Sequence, residues 1–255
     1  MARFLQVSGD NVHLRLLKYF FMLRLIKPAL IVIGFCTFLL TACDKEYSTE
    51  NGGTPGSGGG GGGTTGCKSC VYQPWCDGST YTYIDTSFGG SAATSTSTLD
   101  IVADTTIDGK VFSKTLAEGN TSYHNCTNGI TTVIGYQLPA TGGTVEKIVN
   151  TFLKENDAVG STWTDNNVNG TGQTVVYDYE IIAKGFNHTV LGVTYNDVIQ
   201  VHQTSSIEVP ILGNIVTSES DYYYARNIGL IESLITESLT GTMVLHRVLQ
   251  SYNIP

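Results

Sequence analysis

From residue 79 to the C-terminus, apolar and polar residues alternate in short runs broken by Gly, Asn-Gly and Asp-Gly. A period of two predicts strands, and the breaks predict turns. The strongest hairpin signals are Asp108-Gly109, between residues 99–107 and 110–115, and Asn128-Gly129, between residues 122–127 and 130–137. Further strands are predicted over 79–86, with Tyr81 and Tyr83 on one face, and over 161–164, 174–183 and 193–203. Shorter ones follow at 207–209, 215–219, 221–226, 230–237 and 240–249. The Ser/Thr/Ala stretch 87–98 reads as a loop or frayed edge, and 165–172 as a polar loop. Residues 145–154 are ambiguous, because Val145, Ile148, Val149, Phe152 and Leu153 also fit one face of a short helix.

Val, Ile, Thr and Tyr dominate these runs, as expected of an all-β domain. The expected fold is one antiparallel β domain over residues 67–255, a strongly curved sheet or an open barrel or sandwich, with at most one short helix. Its 189 residues suffice for a sizeable core. Two turns share a pattern: Thr106-Ile-Asp-Gly109-Lys-Val-Phe112 and Thr189-Val-Leu-Gly192-Val-Thr-Tyr195. A hairpin produces this pattern unaided, and duplication of a half-domain is the alternative.

The first 66 residues have a different organisation. An apolar run over 29–40 follows Arg24 and Lys27 and ends at Leu40-Thr41-Ala42-Cys43. Its 12 residues fall short of the roughly 20 that span a bilayer, so the pattern reads as a cleaved signal peptide over 1–42. A start at Met22 gives that signal its ordinary layout. Leu40 to Cys43 resembles the lipobox of bacterial lipoproteins, which implies cleavage before Cys43 and lipidation, palmitate included, of its thiol. Residues 43–66 then form a tether, with Gly58 to Gly63 unbroken. A coil of this composition spans about 25–30 Å as a root-mean-square distance. A phosphate-binding loop is excluded, since no Lys-Ser/Thr follows the glycines.

Removing the signal changes the charge. The mature chain keeps nine Lys and Arg against 21 Asp and Glu, a net charge of −12. Such a surface repels phosphate backbones, which argues against nucleic acid as a partner.

Of six cysteines, Cys36 leaves with the signal and Cys43 takes the lipid. Cys67, Cys70, Cys76 and Cys126 remain, and in an oxidising compartment four cysteines form two disulfides, with three pairings open. Zinc is the rival reading, but a second Cys-x-x-Cys is missing. A redox role for Cys67 and Cys70 lacks the surrounding βαβ pattern.

Asp165, Asn167, Asn169 and Gly170 match the opening of a calcium loop, yet Val176 stands where the bidentate Glu belongs. A polar turn explains the same residues. The expectation is no cofactor, with Ca2+ at Asp165, Asn167 and Asn169 as the alternative. The mature histidines, His124, His188, His202 and His246, are scattered one per strand or turn. Neither a Gly-x-Ser-x-Gly elbow nor His-Glu-x-x-His occurs. No catalytic residue is assigned. The aromatics Trp75, Trp163, Tyr177, Tyr179 and Tyr222 to Tyr224 suit cross-strand packing, with a sugar platform as the alternative.

The Cys-x-x-Cys-x-Tyr opening, Gly160-Ser-Thr-Trp163, Tyr195-Asn-Asp-Val-Ile199 and Asp221-Tyr-Tyr-Tyr-Ala-Arg-Asn-Ile-Gly-Leu-Ile231 resemble uncharacterised lipoproteins of the Gram-negative outer membrane. The resemblance spreads over most of residues 67–255 and transfers no catalytic residue. It implies a protein held in the outer membrane by its N-terminal lipid, on the cell surface if Asp44-Lys45-Glu46 acts as an export signal. The expected role is a non-enzymatic binding or accessory module for a glycan, an apolar ligand or another envelope protein. A structural partner of such a protein, and a hydrolase with a hidden carboxylate pair, are the alternatives.

Overall fold

A computed structural model describes residues 70–88, 93–137, 145–169 and 171–255. Cys43, the signal peptide and the tether lie outside them. Twelve strands follow one another: β1 (Thr80–Ser87), β2 (Ala93–Ile107), β3 (Lys110–Ala117), β4 (Asn120–Thr127), β5 (Ile130–Gln137) and β6 (Glu146–Lys154), then β7 (Thr162–Val168), β8 (Thr174–Val190), β9 (Val193–Val209), β10 (Gly213–Ala225), β11 (Gly229–Glu237) and β12 (Met243–Asn253). The described residues contain no helix.

All twelve strands form a single antiparallel sheet in the order β6-β5-β4-β3-β2-β1-β12-β11-β10-β9-β8-β7. Each strand pairs with its neighbours in sequence, except that β1 also pairs with β12 while β6 and β7 end the sheet. The sheet curls into a nearly closed barrel, which brings β6 and β7 edge to edge. Side chains of β7 stitch this seam. Asp165 accepts the Thr151 N–H, Asn167 accepts the Val149 N–H and donates to Asn150, and the Trp163 indole donates to the Thr151 carbonyl. These contacts satisfy edge groups that would otherwise invite a foreign strand.

The two expected hairpins form at Asp108-Gly109 and Asn128-Gly129. Both central residues of each turn have positive φ (51° and 75°, then 54° and 78°), the geometry whose twist suits a two-residue hairpin. At Gly129 a Cβ would fall 2.3 Å from the Asn156 side-chain nitrogen, so the position also needs the missing side chain. The two turns with matching sequences join β2 to β3 and β8 to β9. These are equivalent places in two successive sets of six strands.

Two expectations are corrected and one ambiguity is resolved. Residues 93–98 of the Ser/Thr/Ala stretch belong to β2 and pair with β1 throughout, because Ser and Thr pack readily on a pleated surface. Residues 146–154 form β6, not a helix, since pairing with β5 overrides the helical spacing. Residues 165–168, expected in a loop, complete β7 against β8.

The core lies on the inner face. One cluster gathers Tyr81, Tyr83, Ile101, Ile231 and Leu249 around Trp75, and a second gathers Leu153, Trp163, Tyr179, Ile181, Ile199 and Val201 around Tyr72. Burial of each such side chain contributes about 1.5–3 kcal/mol. Trp75 and Tyr72 come from the segment Cys70 to Cys76, which precedes β1 and plugs one end of the barrel. Backbone and side-chain groups of this segment bond to the surrounding turns. The Glu155 carboxylate accepts the N–H groups of Val71 and Tyr72, the Asn227 N–H donates to the Val71 carbonyl, and the Gln73 side chain accepts the Leu230 N–H. A disulfide joins Cys70 to Cys126 on β4, with Cα atoms 5.7 Å apart. Cys76 is also disulfide-bonded, and Cys67 lies outside the described residues.

Candidate functional site

The parity of each strand decides what reaches solvent. On β8, Tyr177, Tyr179 and Ile181 point inward, which turns Asp178 and Glu180 outward. Register then sets Thr162, Glu180, His202 and Asp221 in one row across β7–β10, and Thr164, Asp178, Thr204 and Glu219 in the next. Residues from these rows line a shallow groove of about 310 Å³ in the outer wall: Thr162, Thr164, Asp178, Glu180, His202 and Thr204, over the backbone of Trp163 and Tyr179.

Within the groove His202 is oriented. Its Nδ1 lies 3.1 Å from Asp221 Oδ1, and Gln200 donates to the same oxygen at 3.1 Å. A carboxylate on Nδ1 orients the ring. Thr164 donates to Asp178 Oδ1 at 2.6 Å. Among the described residues no hydroxyl bonds to the His202 ring, so no nucleophile–base pair forms there. Asp178 and Glu180 are both exposed to solvent.

A second cluster shares the outer face. Glu232 on β11 accepts from two imidazoles, His188 Nε2 at 2.5 Å and His246 Nε2 at 2.6 Å. The His188 ring stacks on Tyr223, with centroids 4.2 Å apart. His188 lies on β8, three strands from Glu232, and pairs with Tyr195 beyond the end of β10. Its reach is explained by three register shifts in β8, at 181/183, 184/186 and 186/188, with Gly185 at φ 73° between them. These bend the end of the β8–β9 hairpin back over the outer wall. Val190 and Tyr195 of that hairpin are both buried and belong to the same core cluster as Val248. The cluster therefore straps a flap to the barrel. Among the described residues no group of three His, Cys, Asp or Glu is arranged to hold a metal ion.

Among the described residues His124 forms the one Ser–His contact, 2.9 Å from Ser122 Oγ to its Nε2. Catalysis there is ruled out by its setting. Trp75 stacks on the ring at 4.0 Å, Phe152 meets it edge-on, and Nδ1 has no partner among the described residues. Burial alone lowers its pKa to about 3, so it is a feeble base with no carboxylate to orient it.

The sequence-derived candidates fall elsewhere. Asp165 and Asn167 point into the seam on alternate positions of β7, and Asn169 closes a turn by accepting the N–H groups of Thr171 and Gln173. Their oxygens are occupied by N–H donors along a strand, an arrangement unlike a calcium loop. Burial raises the Asp165 pKa, against the opposing pull of the Thr151 N–H and Lys154. Trp163 and Tyr179 stack on each other at 5.1 Å inside the wall, so their faces are closed to sugars. What sequence reading missed was the gathering of His188, His202 and His246 on one outer face. Pairing His202 with Asp221 follows only once a turn is placed at 210–212.

No protein-family profile matches the sequence, and no curated protein does. Two solved structures are similar in fold. One, from Bacteroides fragilis, is described as exported and as having a YMCC-like fold. It shares 11% identity over 72% of this chain and 99% of its own, with a TM-score of 0.43. The other, from Parabacteroides distasonis, is described as a lipoprotein. It shares 12% identity over 73% of this chain and all of its own, with a TM-score of 0.45.

Proposed function

We propose that this chain is an exported, lipid-anchored envelope protein that works by binding, with a hydroxyl-rich ligand such as a glycan strand in the His202 groove. The groove's lining carries this reading. Six outward side chains offer three hydroxyls, two carboxylates and one oriented imidazole, a set that matches sugar hydroxyls and does not suit an apolar ligand. Anchoring rests on the Leu40-Thr41-Ala42-Cys43 pattern that ends the apolar run.

Two measurements test it. Mass spectrometry of the mature N-terminus is expected to find a diacyl or triacyl adduct on Cys43, and an unmodified chain beginning at Met1 would sink the anchor. Calorimetric titration with envelope polysaccharide fragments is expected to show binding that Asp178→Asn and His202→Ala each weaken about tenfold, roughly the loss of one charge-assisted hydrogen bond. Binding indifferent to both substitutions refutes the groove.

A further inference from the structure

In a meander, successive turns alternate between the two ends of the barrel. The plug contacts the β6–β7 and β10–β11 turns through Glu155 and Asn227, so the described chain begins at that end. The β7–β8, β9–β10 and β11–β12 turns lie at the other end, next to one another. There the β9–β10 hairpin projects past its neighbours, since β8 begins at Thr174, β7–β8 pairing ends at Val168, and β11 pairing stops at Ser218. The Ser238 N–H donates to the Thr217 carbonyl, which holds the β11–β12 turn against its flank.

These tips are aliphatic. Ile211 is fully exposed, Leu212 is 68% and Leu239 73% exposed, and Ile215, Val216 and Val168 join them. Ile211 also sits at φ 75°, a left-handed conformation that a β-branched residue adopts only under strain. Around them stand Glu208, Glu219 and Glu237, while residues 168–174, 205–219 and 236–244 contain no Lys or Arg. An apolar patch rimmed by one sign of charge marks an interaction surface.

We propose that this end docks a protein partner whose aliphatic socket, framed by Lys or Arg, receives Ile211 and Leu212. Acidic rims repel anionic lipid and complement a basic protein surface, so a membrane is not the occupant. The inference goes beyond the groove reading and does not depend on it.

The test places a benzophenone-bearing amino acid at Leu212 in the full-length, lipidated chain in its own cells, with a control probe at the exposed Val102 on β2. Illumination is expected to yield one adduct with a second protein from Leu212 and none from Val102. Ile211→Asp should abolish the adduct, and His202→Ala should leave it intact. The captured protein, identified and purified, should bind with a Kd that Ile211→Asp raises at least tenfold and that weakens with salt. Because Ile211 makes no buried contact, the variant should keep its melting temperature. An adduct at twice the chain's mass, a lipid adduct, no adduct, or a Kd unmoved by Ile211→Asp would each overturn the proposal.

Discussion

His124 gives the fold a pH dependence that can be worked out in advance. Packed between Trp75 and Phe152 with no carboxylate beside it, the ring is held neutral, and burial lowers its pKa to about 3. In the unfolded chain the same group titrates near 6.5. The unfolded state therefore binds the proton more readily. The contribution to stability is complete above about pH 7 and is lost as pH falls from 6.5 towards 3. Linkage between these two values predicts a loss of about 1.4 kcal/mol between pH 7.5 and 5.5, and about 2 kcal/mol by pH 5. With a urea slope of about 2–2.5 kcal/mol/M, the midpoint should fall by roughly 0.6 M between pH 7.5 and 5.5. Urea unfolding of the mature domain under non-reducing conditions measures this. His124→Phe keeps an aromatic ring between Trp75 and Phe152 and removes the titration, so its midpoint should be flat over the same window. Parallel slopes for the wild type and His124→Phe would refute the reasoning.

Three further outcomes follow from the plug, the wall and the seam. Removing the Cys70–Cys126 disulfide, whose sequence separation is 56, by Cys70→Ala with Cys126→Ala should cost about 4 kcal/mol by loop entropy, read as a drop in melting temperature without reductant. Asp85 and Arg247 pair across β1 and β12 at 2.6 and 2.8 Å, and Ser97 donates to Asp85 at 2.6 Å. Asp85→Asn should cost about 3–5 kcal/mol by leaving the Arg247 charge unpaired, and Asp85→Asn with Arg247→Met should recover part of it in denaturant unfolding. Asp165→Ala should cost about 1–2 kcal/mol and speed hydrogen exchange at the Thr151 amide, with amides on the β1–β12 ladder unaffected.

Much of this fold was legible because its pairings are local. Asp-Gly and Asn-Gly specify their own hairpins, and Tyr81 with Tyr83, or Tyr177 with Tyr179, declare a face by alternation. Strand ends were less legible. The turn before Val193 was marked by Gly192, but β8 runs on past 183 to Val190 and β9 past 203 to Val209, extensions that no local pattern announces. The Asp165, Asn167 and Asn169 spacing was visible as a motif, but its partners are edge N–H groups on β6, known only once the barrel curls. The gathering of three histidines fails for the same reason, since His188 meets Glu232 across three strands and 44 residues. The register of His202 opposite Asp221 was nearer to hand, yet it required a turn at the apolar residues Ile211 and Leu212, which do not look like turn formers.

The seam has a consequence for how the chain could be divided. Its two edges belong to β6 and β7, adjacent in sequence, whereas the β1–β12 ladder unites the first and last strands of the barrel. A cut in the 156–160 connection would break no ladder and leave each fragment with six consecutive strands. The first would keep the plug, its disulfide and Glu155, and the second the groove and the flap. Their reunion would rest on the β1–β12 ladder and the core beneath it. The barrel is thus a natural split reporter, with complementation that reads out the proximity of whatever is fused to the two new ends.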